Sequence, residues 1–412
     1  MGRGPRWALR AAGVVAVLTI AIGATLAGCQ SFGAKADGER LARMQQSPEW
    51  RGDEFVNPQP MWNDMRDALL HALDGGPDVE PAAPVPVVPT DPALLAQAPA
   101  SGLRVTWFGH SSTLIEIDGI RVLTDPIWSE RASPVSWAGP RRWYPPTIAL
   151  DKLPPIDLVV LSHDHYDHLD FATIAAMRSW KTIFVTPLGI GAHLARWGIP
   201  AERIVELDWW QSRRVGAVTI TLTPARHASG RVQPRSDATL WGGFAFVGAK
   251  HRAYYSGDTG LFDAMTEIGQ RLGPFDVALI EAGQYDADWP DWHLGPEQSV
   301  LGAQRIRAAT LIPVHWGLFR LAHHGWTEPV ERVLAAARCV PPSVLTVLTP
   351  RPGQSVQPTA LQADDSTRWW PAAAWATARE KPIVATTDGE AAHRVALPAC
   401  ADAAAAQSAS SR

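Results

Sequence analysis

Leu158-Val159-Val160-Leu161-Ser162 is an apolar run of strand length, and His163-Asp164-His165-Tyr166-Asp167-His168 follows it without a break. A short apolar run that ends abruptly in polar residues reads as a buried strand. Three imidazoles and two carboxylates therefore arrive together at one strand end. Crowded out of water, such groups lose their solvation and repel like-charged neighbours, and a bound cation relieves both costs. The chain has to fold so that this strand end holds a metal ion. Nitrogen and carboxylate donors without thiolate suit zinc, and iron or manganese is compatible with the same donors.

The remaining sequence can build such a fold. With 412 residues, 46% hydrophobic and 19% charged, the chain is long enough for a large layered domain and too apolar for a disordered one. A formal net charge of -4 leaves no broad basic field, which excludes nucleic acid as a partner. The three cysteines, Cys29, Cys339 and Cys400, cannot build a disulfide framework, and no bridge is expected among them. Strands are expected at 103–107, 113–117, 120–123, 156–162, 182–186, 218–223, 244–247, 253–256, 277–280, 311–314 and 344–348, with Asp118-Gly119 as a hairpin turn. Helical spacing fits 171–180, 189–197, 296–308 and 328–338. Strands come first and then alternate with helices, twice over, which suits two sheets packed face to face with helices outside.

His-x-His-x-Asp-His is similar to the signature of the metallo-β-lactamase superfamily. That resemblance implies an α/β fold, the four-layer αβ/βα sandwich, and a later His, Asp and His, each at a strand end. His227, Asp258 and His315 stand where these are sought. By the superfamily pattern His163, His165 and His227 hold one ion, Asp167, His168 and His315 hold a second, and Asp258 bridges two zinc ions. Such a pair acidifies a shared water and clamps the oxygens of a displacement, which is hydrolysis. Further segments resemble the phospholipase D family that hydrolyses N-acylphosphatidylethanolamine: Leu123-Thr124-Asp125-Pro126-Ile127, Gly139-Pro140-Arg141-Arg142, Leu153-Pro154-Pro155-Ile156-Asp157, Leu207-Asp208-Trp209-Trp210, Thr223-Pro224-Ala225-Arg226-His227 and Gly273-Pro274-Phe275-Asp276. This likeness implies a phosphodiesterase acting on a phospholipid to release phosphatidic acid and an N-acylethanolamine. It also implies a catalytic role for His293 beside the metals. His110, Arg141 and Arg142 are candidates for substrate contact, Asp164 and Tyr166 for framing, and Trp209-Trp210 with Trp289 and Trp292 for an acyl groove or for core. His193, His251, His323, His324 and His393 read as solvated. A lactonase or other ester hydrolase on the same metals, and a noncatalytic envelope lipoprotein, are the alternative readings.

The flanks suggest an address. Residues 1–10 carry Arg3, Arg6 and Arg10 without an acid, 11–28 are uncharged and apolar, and the run ends Leu26-Ala27-Gly28-Cys29. This pattern is that of a secretory signal, and its end resembles the bacterial lipobox. It implies a lipidated Cys29 tethering the protein to the cell envelope, with Gln30 pointing to the outer membrane facing the periplasm; a plain membrane anchor is the alternative. The expected divisions are a signal peptide at 1–28, a segment with an amphipathic helix (61–74) at 29–76, a Pro-rich connector at 77–100, the hydrolase domain at 101–352 and an unassigned Ala-rich tail at 353–412. No oligomeric state follows from the sequence.

Overall fold

The computed structural model describes residues 30–64, 66, 68, 78–231, 236–362 and 364–397. Cys29, Cys400 and most of the expected helix at 61–74 lie outside them. Two seven-stranded sheets form the body. The first contains β1 (Leu103–Gly109), β2 (Ser112–Ile117), β3 (Ile120–Thr124), β4 (Leu158–Val160), β5 (Ile183–Pro187) and β6 (Ile204–Leu207). The second contains β7 (Ser212–Val215), β8 (Val218–Thr223), β9 (Gly243–Val247), β10 (Arg252–Tyr255), β11 (Val277–Glu281), β12 (Thr310–Val314) and β13 (Thr346–Val347). β14 (Ser355–Val356) returns to pair with β1 at the edge of the first sheet.

Each sheet is an antiparallel meander that continues into parallel strands. β1, β2 and β3 pair antiparallel, with Asp118 and Gly119 both at positive φ in the tight turn, and β3 to β6 run parallel. β7 to β10 are antiparallel and β10 to β13 parallel. β1, β3 and β4 consequently run the same way, as do β8, β10, β11 and β12. Their carboxyl ends share one edge of each sheet, where ligands are bound in α/β folds of this kind.

Side-chain alternation builds three apolar layers. Val105, Trp107, Ile115, Val122 and Val160 face Ile220, Leu222, Phe244, Tyr255, Leu279 and Ile312 between the sheets. The opposite faces carry Leu114, Leu123, Val159 and Phe184 against α1 (Phe171–Ala176) and α2 (Ile190–Arg196). In the second sheet Tyr254, Ala278, Ile280 and Leu311 pack against α3 (Ala264–Leu272), α4 (Pro296–Arg305) and α5 (Glu328–Ala337). The result is the expected four-layer sandwich, and its central strands are apolar on both faces because both faces are covered.

Four elements of the sandwich escape the sequence pattern. β7 is a polar, mostly exposed edge strand, β6 and β14 are very short, and α3 carries Gly269 where a Cβ would lie 2.4 Å from the Arg305 carbonyl oxygen, so the glycine permits α3 to approach the end of α4. Cys339 is disulfide-bonded, contrary to expectation. The Pro-rich connector packs on the domain through buried Val85 and Leu95. In the segment after Pro352, Trp369 and Trp370 are buried beside Trp316, with Trp369 stacked on it at 5.6 Å. Much of the tryptophan content is thus core. Among the described residues no helix is long and apolar enough to cross a membrane.

Candidate metal centre

Seven side chains from four strand ends converge. The donor nitrogens of His163, His165 and His227 lie within 4.8 Å of one another, as do donors of His110, Asp167, His168 and His315. Asp258 stands between the two groups. Its Oδ2 is 3.1 Å from His168 Nε2 and 3.8 Å from both His163 Nε2 and His227 Nε2, while its Oδ1 is 3.1 Å from His315 Nδ1. His110, Asp125 and His315 take positive φ at their strand ends, a conformation that costs a non-glycine residue about 1 kcal/mol or more and turns these side chains inward.

The donors fit cations. Buried polar atoms are normally hydrogen-bonded, yet His168 Nε2, His315 Nε2 and Asp258 Oδ1 are buried without such a partner. Burial, compounded by neighbouring imidazoles, pushes His163, His227 and His315 well below the ordinary imidazole range, so they present neutral lone pairs at neutral pH. Burial also pushes the Asp258 carboxyl up to about 6 in the metal-free protein, against the pull of His168 and with Glu281 adding to it. Positive charge at the centre would reverse that cost.

A buried frame aims these groups. Asp125 accepts from Ser162 N through Oδ1 (2.7 Å), and its Oδ2 accepts from Ser162 Oγ (2.5 Å), His168 Nδ1 (2.7 Å) and Tyr255 Oη (2.5 Å). Asn57, from the segment ahead of the sandwich, bonds the His227 backbone twice: Nδ2 donates to the carbonyl at 2.7 Å and the amide donates to Oδ1 at 3.1 Å. Asp164 accepts from Gly230 N and His193 Nε2. His110 is completely buried and bonded to Asp167 at 2.9 Å, so it supports a metal-facing carboxylate and is not a substrate contact.

His293 sits beside the donors, its ring parallel to His315 at 5.0 Å. Its Nδ1 is 2.8 Å from Glu281 Oε2, and Glu281 is fully buried at the end of β11, where Thr259 and Leu294 amides also donate to it. Burial pushes Glu281 well above the carboxylate range and His293 below the imidazole range. Glu281 and Nδ1 share a proton between them, and the ring's other nitrogen is left for the cavity that His293 lines.

The cavity holds about 580 Å³, with His165, Asp167, Asp258, His293 and His315 at its floor and Phe32, Pro134, Trp289, Trp292 and Leu321 among its walls. Among the described residues its cation is Arg231. The buried guanidinium donates to the carbonyls of Ser31, Asp164 and Leu169, lies 4.2 Å over the Tyr166 ring, and keeps Nη2 unpartnered. Arg141 instead pairs with Glu130 at the surface, and Arg142 is buried on the carbonyls of Tyr144, Ile127 and Ser129. Neither lines the cavity. Trp209 and Trp210 line a different one. His193 and His324 are buried and bonded, not solvated.

A family model described as a beta-lactamase superfamily domain matches residues 120–316, a span that contains all seven metal-facing residues. The chain belongs to the metallo-β-lactamase superfamily. It is a metal-dependent hydrolase of that superfamily. An uncharacterized protein of Mycobacterium tuberculosis is 48% identical over 339 residues, covering 80% of this chain and 89% of its own. N-acyl-phosphatidylethanolamine-hydrolyzing phospholipase D 1 of Caenorhabditis elegans is 37% identical over 240 residues, 55% of this chain and 67% of that protein. A possible metal-dependent hydrolase from Veillonella parvula shares the fold, with a TM-score of 0.50 at 17% identity over 62% of this chain and 98% of that one. Asn57 lies ahead of the matched superfamily region, so this member buttresses His227 from outside it.

Proposed function

We propose that the protein is a membrane-tethered phosphodiesterase that cleaves N-acylphosphatidylethanolamine-like lipids to phosphatidic acid and an N-acylethanolamine. The observation that carries this reading is the two-part cavity: a floor of nitrogen and carboxylate donors under apolar walls, with the buried guanidinium of Arg231 beside them. A phosphodiester between acyl chains matches that division of chemistry. The likeness to the nematode phospholipase D supports it. In this reading His163, His165 and His227 hold one ion and Asp167, His168 and His315 the other, with Asp258 shared. Two zinc ions, or iron or manganese in their place, supply Lewis acidity and an acidified water.

The chain's own residues do the rest. Arg231, which lines the cavity, sets its positive charge against the phosphate, and Phe32, Trp289 and Leu321 exclude water around the acyl chains. Water adds at phosphorus, the bond to the ethanolamine oxygen breaks, and His293 Nε2–H protonates that departing oxygen, with Glu281 replacing the proton through Nδ1. In heavy-oxygen water the label should enter phosphatidic acid; label in the alcohol, or activity confined to lactones, refutes the reading. Elemental analysis should give two ions per chain. Attachment is through diacylglycerol on Cys29, in the outer membrane facing the periplasm, and mass spectrometry of membrane-extracted protein reads that modification directly.

A further inference from the structure

We propose that the rim of the catalytic cavity, formed by residues 30–33 and the loop 131–141, is the surface that docks on the lipid bilayer. Six large hydrophobic side chains are exposed among the described residues, and the only aromatic ones, Phe32 at 38% and Trp137 at 70%, both belong to this rim. The two segments form one structure. Ser31 Oγ donates to the Pro134 carbonyl at 2.9 Å, and Pro134 and Phe32 both line the cavity. The loop is closed at its base by Ala132 N to Pro140 O (3.1 Å) and Arg142 N to Glu130 O (2.9 Å), which leaves Trp137 out near its tip. A tryptophan held out at such a tip suits the boundary between headgroups and acyl chains.

The position of Cys29 in the sequence gives the occupant. Gln30 is fixed at this rim by Trp197 Nε1 donating to its carbonyl at 2.7 Å, and Ser31 by Arg231. An acyl group on Cys29 is attached one residue before Gln30, so the tether and the aromatic pair meet the same bilayer. Of the two arginines in the loop, Arg141 is paired with Glu130 and Arg131 donates to the Gly139 carbonyl, so docking depends on apolar insertion more than on charge. A lipid then enters the cavity without crossing water. This inference rests on the lipid-substrate reading, and its test separates the two.

The full chain is reconstituted in phosphatidylcholine vesicles whose acyl chains carry bromine, and the emission of Trp137 is taken as the difference between the native protein and Trp137→Phe. Quenching by the acyl bromine, together with shielding from aqueous iodide, is expected. Unchanged iodide access in vesicles overturns the proposal, and so does shielding that appears without lipid as protein concentration rises, which assigns the rim to a second copy. In activity, Trp137→Ala should retain turnover on a short-chain phosphodiester in free solution and lose roughly tenfold on the vesicle-embedded lipid. An equal loss on both also overturns it. Bromine quenching without cleavage of either substrate upholds the docking surface and refutes the substrate.

Discussion

Replacing Asp125 by Asn tests whether the metal centre is held by the tautomer of His168. The change keeps the volume of the side chain and removes one acceptor. Asp125 Oδ1 takes the Ser162 amide, while Oδ2 takes Ser162 Oγ, Tyr255 Oη and His168 Nδ1. An asparagine whose oxygen remains on the Ser162 amide turns its NH₂ toward those three donors. The two hydroxyls can rotate and accept instead. The imidazole can adapt only by moving its proton from Nδ1 to Nε2, and Nε2 is the atom that faces Asp258 and Asp167 at 3.1 and 3.3 Å. A protonated Nε2 cannot bind an ion. Flipping the amide instead sets its NH₂ against the Ser162 N–H, which is no better.

The cost follows from those bonds. A hydrogen bond to a charged group contributes about 1.5–3 kcal/mol, and loss of such a partner behind a metal-binding histidine weakens affinity roughly 10- to 100-fold, which agrees with that energy. Asp125→Asn should therefore weaken the ion at Asp167, His168 and His315 by that factor, and the ion at the other three histidines much less. Stepwise titration against a chromogenic chelator resolves the two, with thermal unfolding of the metal-free proteins as the control for folding. If Asp125→Asn binds both ions as tightly as the native protein, the tautomer argument is wrong.

Three further outcomes are expected. His293→Ala should lower turnover by roughly 100- to 10,000-fold at unchanged metal content, and far less on phosphodiesters with a very acidic leaving alcohol, which need no proton; loss of metal in that variant would make His293 a ligand. Asn57→Ala removes both bonds to the His227 backbone and should selectively weaken the ion at His163, His165 and His227 in the same titration, whereas parallel weakening of both ions would mean a general loosening of the fold. Asp164 is held down to about 2 from 3.8 by the hydrogen bond from His193, with that ring's charge adding, although burial opposes this; the resulting stability, about 2 kcal/mol, is complete above pH 4 and is lost as the pH falls through 2. Asp164→Asn should flatten the acid limb of the metal-free protein's stability profile over that interval, and an unaltered slope would exclude the Asp164 carboxyl as its source.

The metal donors were legible in two steps. His163 to His168 announce themselves in one hexapeptide, whereas His227, Asp258 and His315 are single residues after strand-like runs and were found because the superfamily resemblance implies a later His, Asp and His at strand ends. The groups that aim them carry no such mark. Asp125 is a single acid after β3, and it meets its partners across 37, 43 and 130 residues. The strand register that brings Thr124 beside Val160 sets it under His168, and no periodicity in either segment encodes that pairing. Glu281 left a fainter trace: an acid closing the strand Val277–Glu281, whose other residues are all apolar, is costly unless something receives it, and His293 does. Arg231 is a single cation in the sequence, less conspicuous than the Arg141-Arg142 pair. Two adjacent cations suggest a phosphate site by count, but a guanidinium serves an anion only if its own surroundings leave a donor free. Placement decides that: Arg231 lines the cavity, whereas Arg142 is buried away from it with Nε and Nη1 on backbone carbonyls. Ligand identity is a property of residue type and could be read directly, whereas ligand orientation is a property of register and packing, which is why the chemistry of this centre was clearer in the sequence than the machinery that holds it.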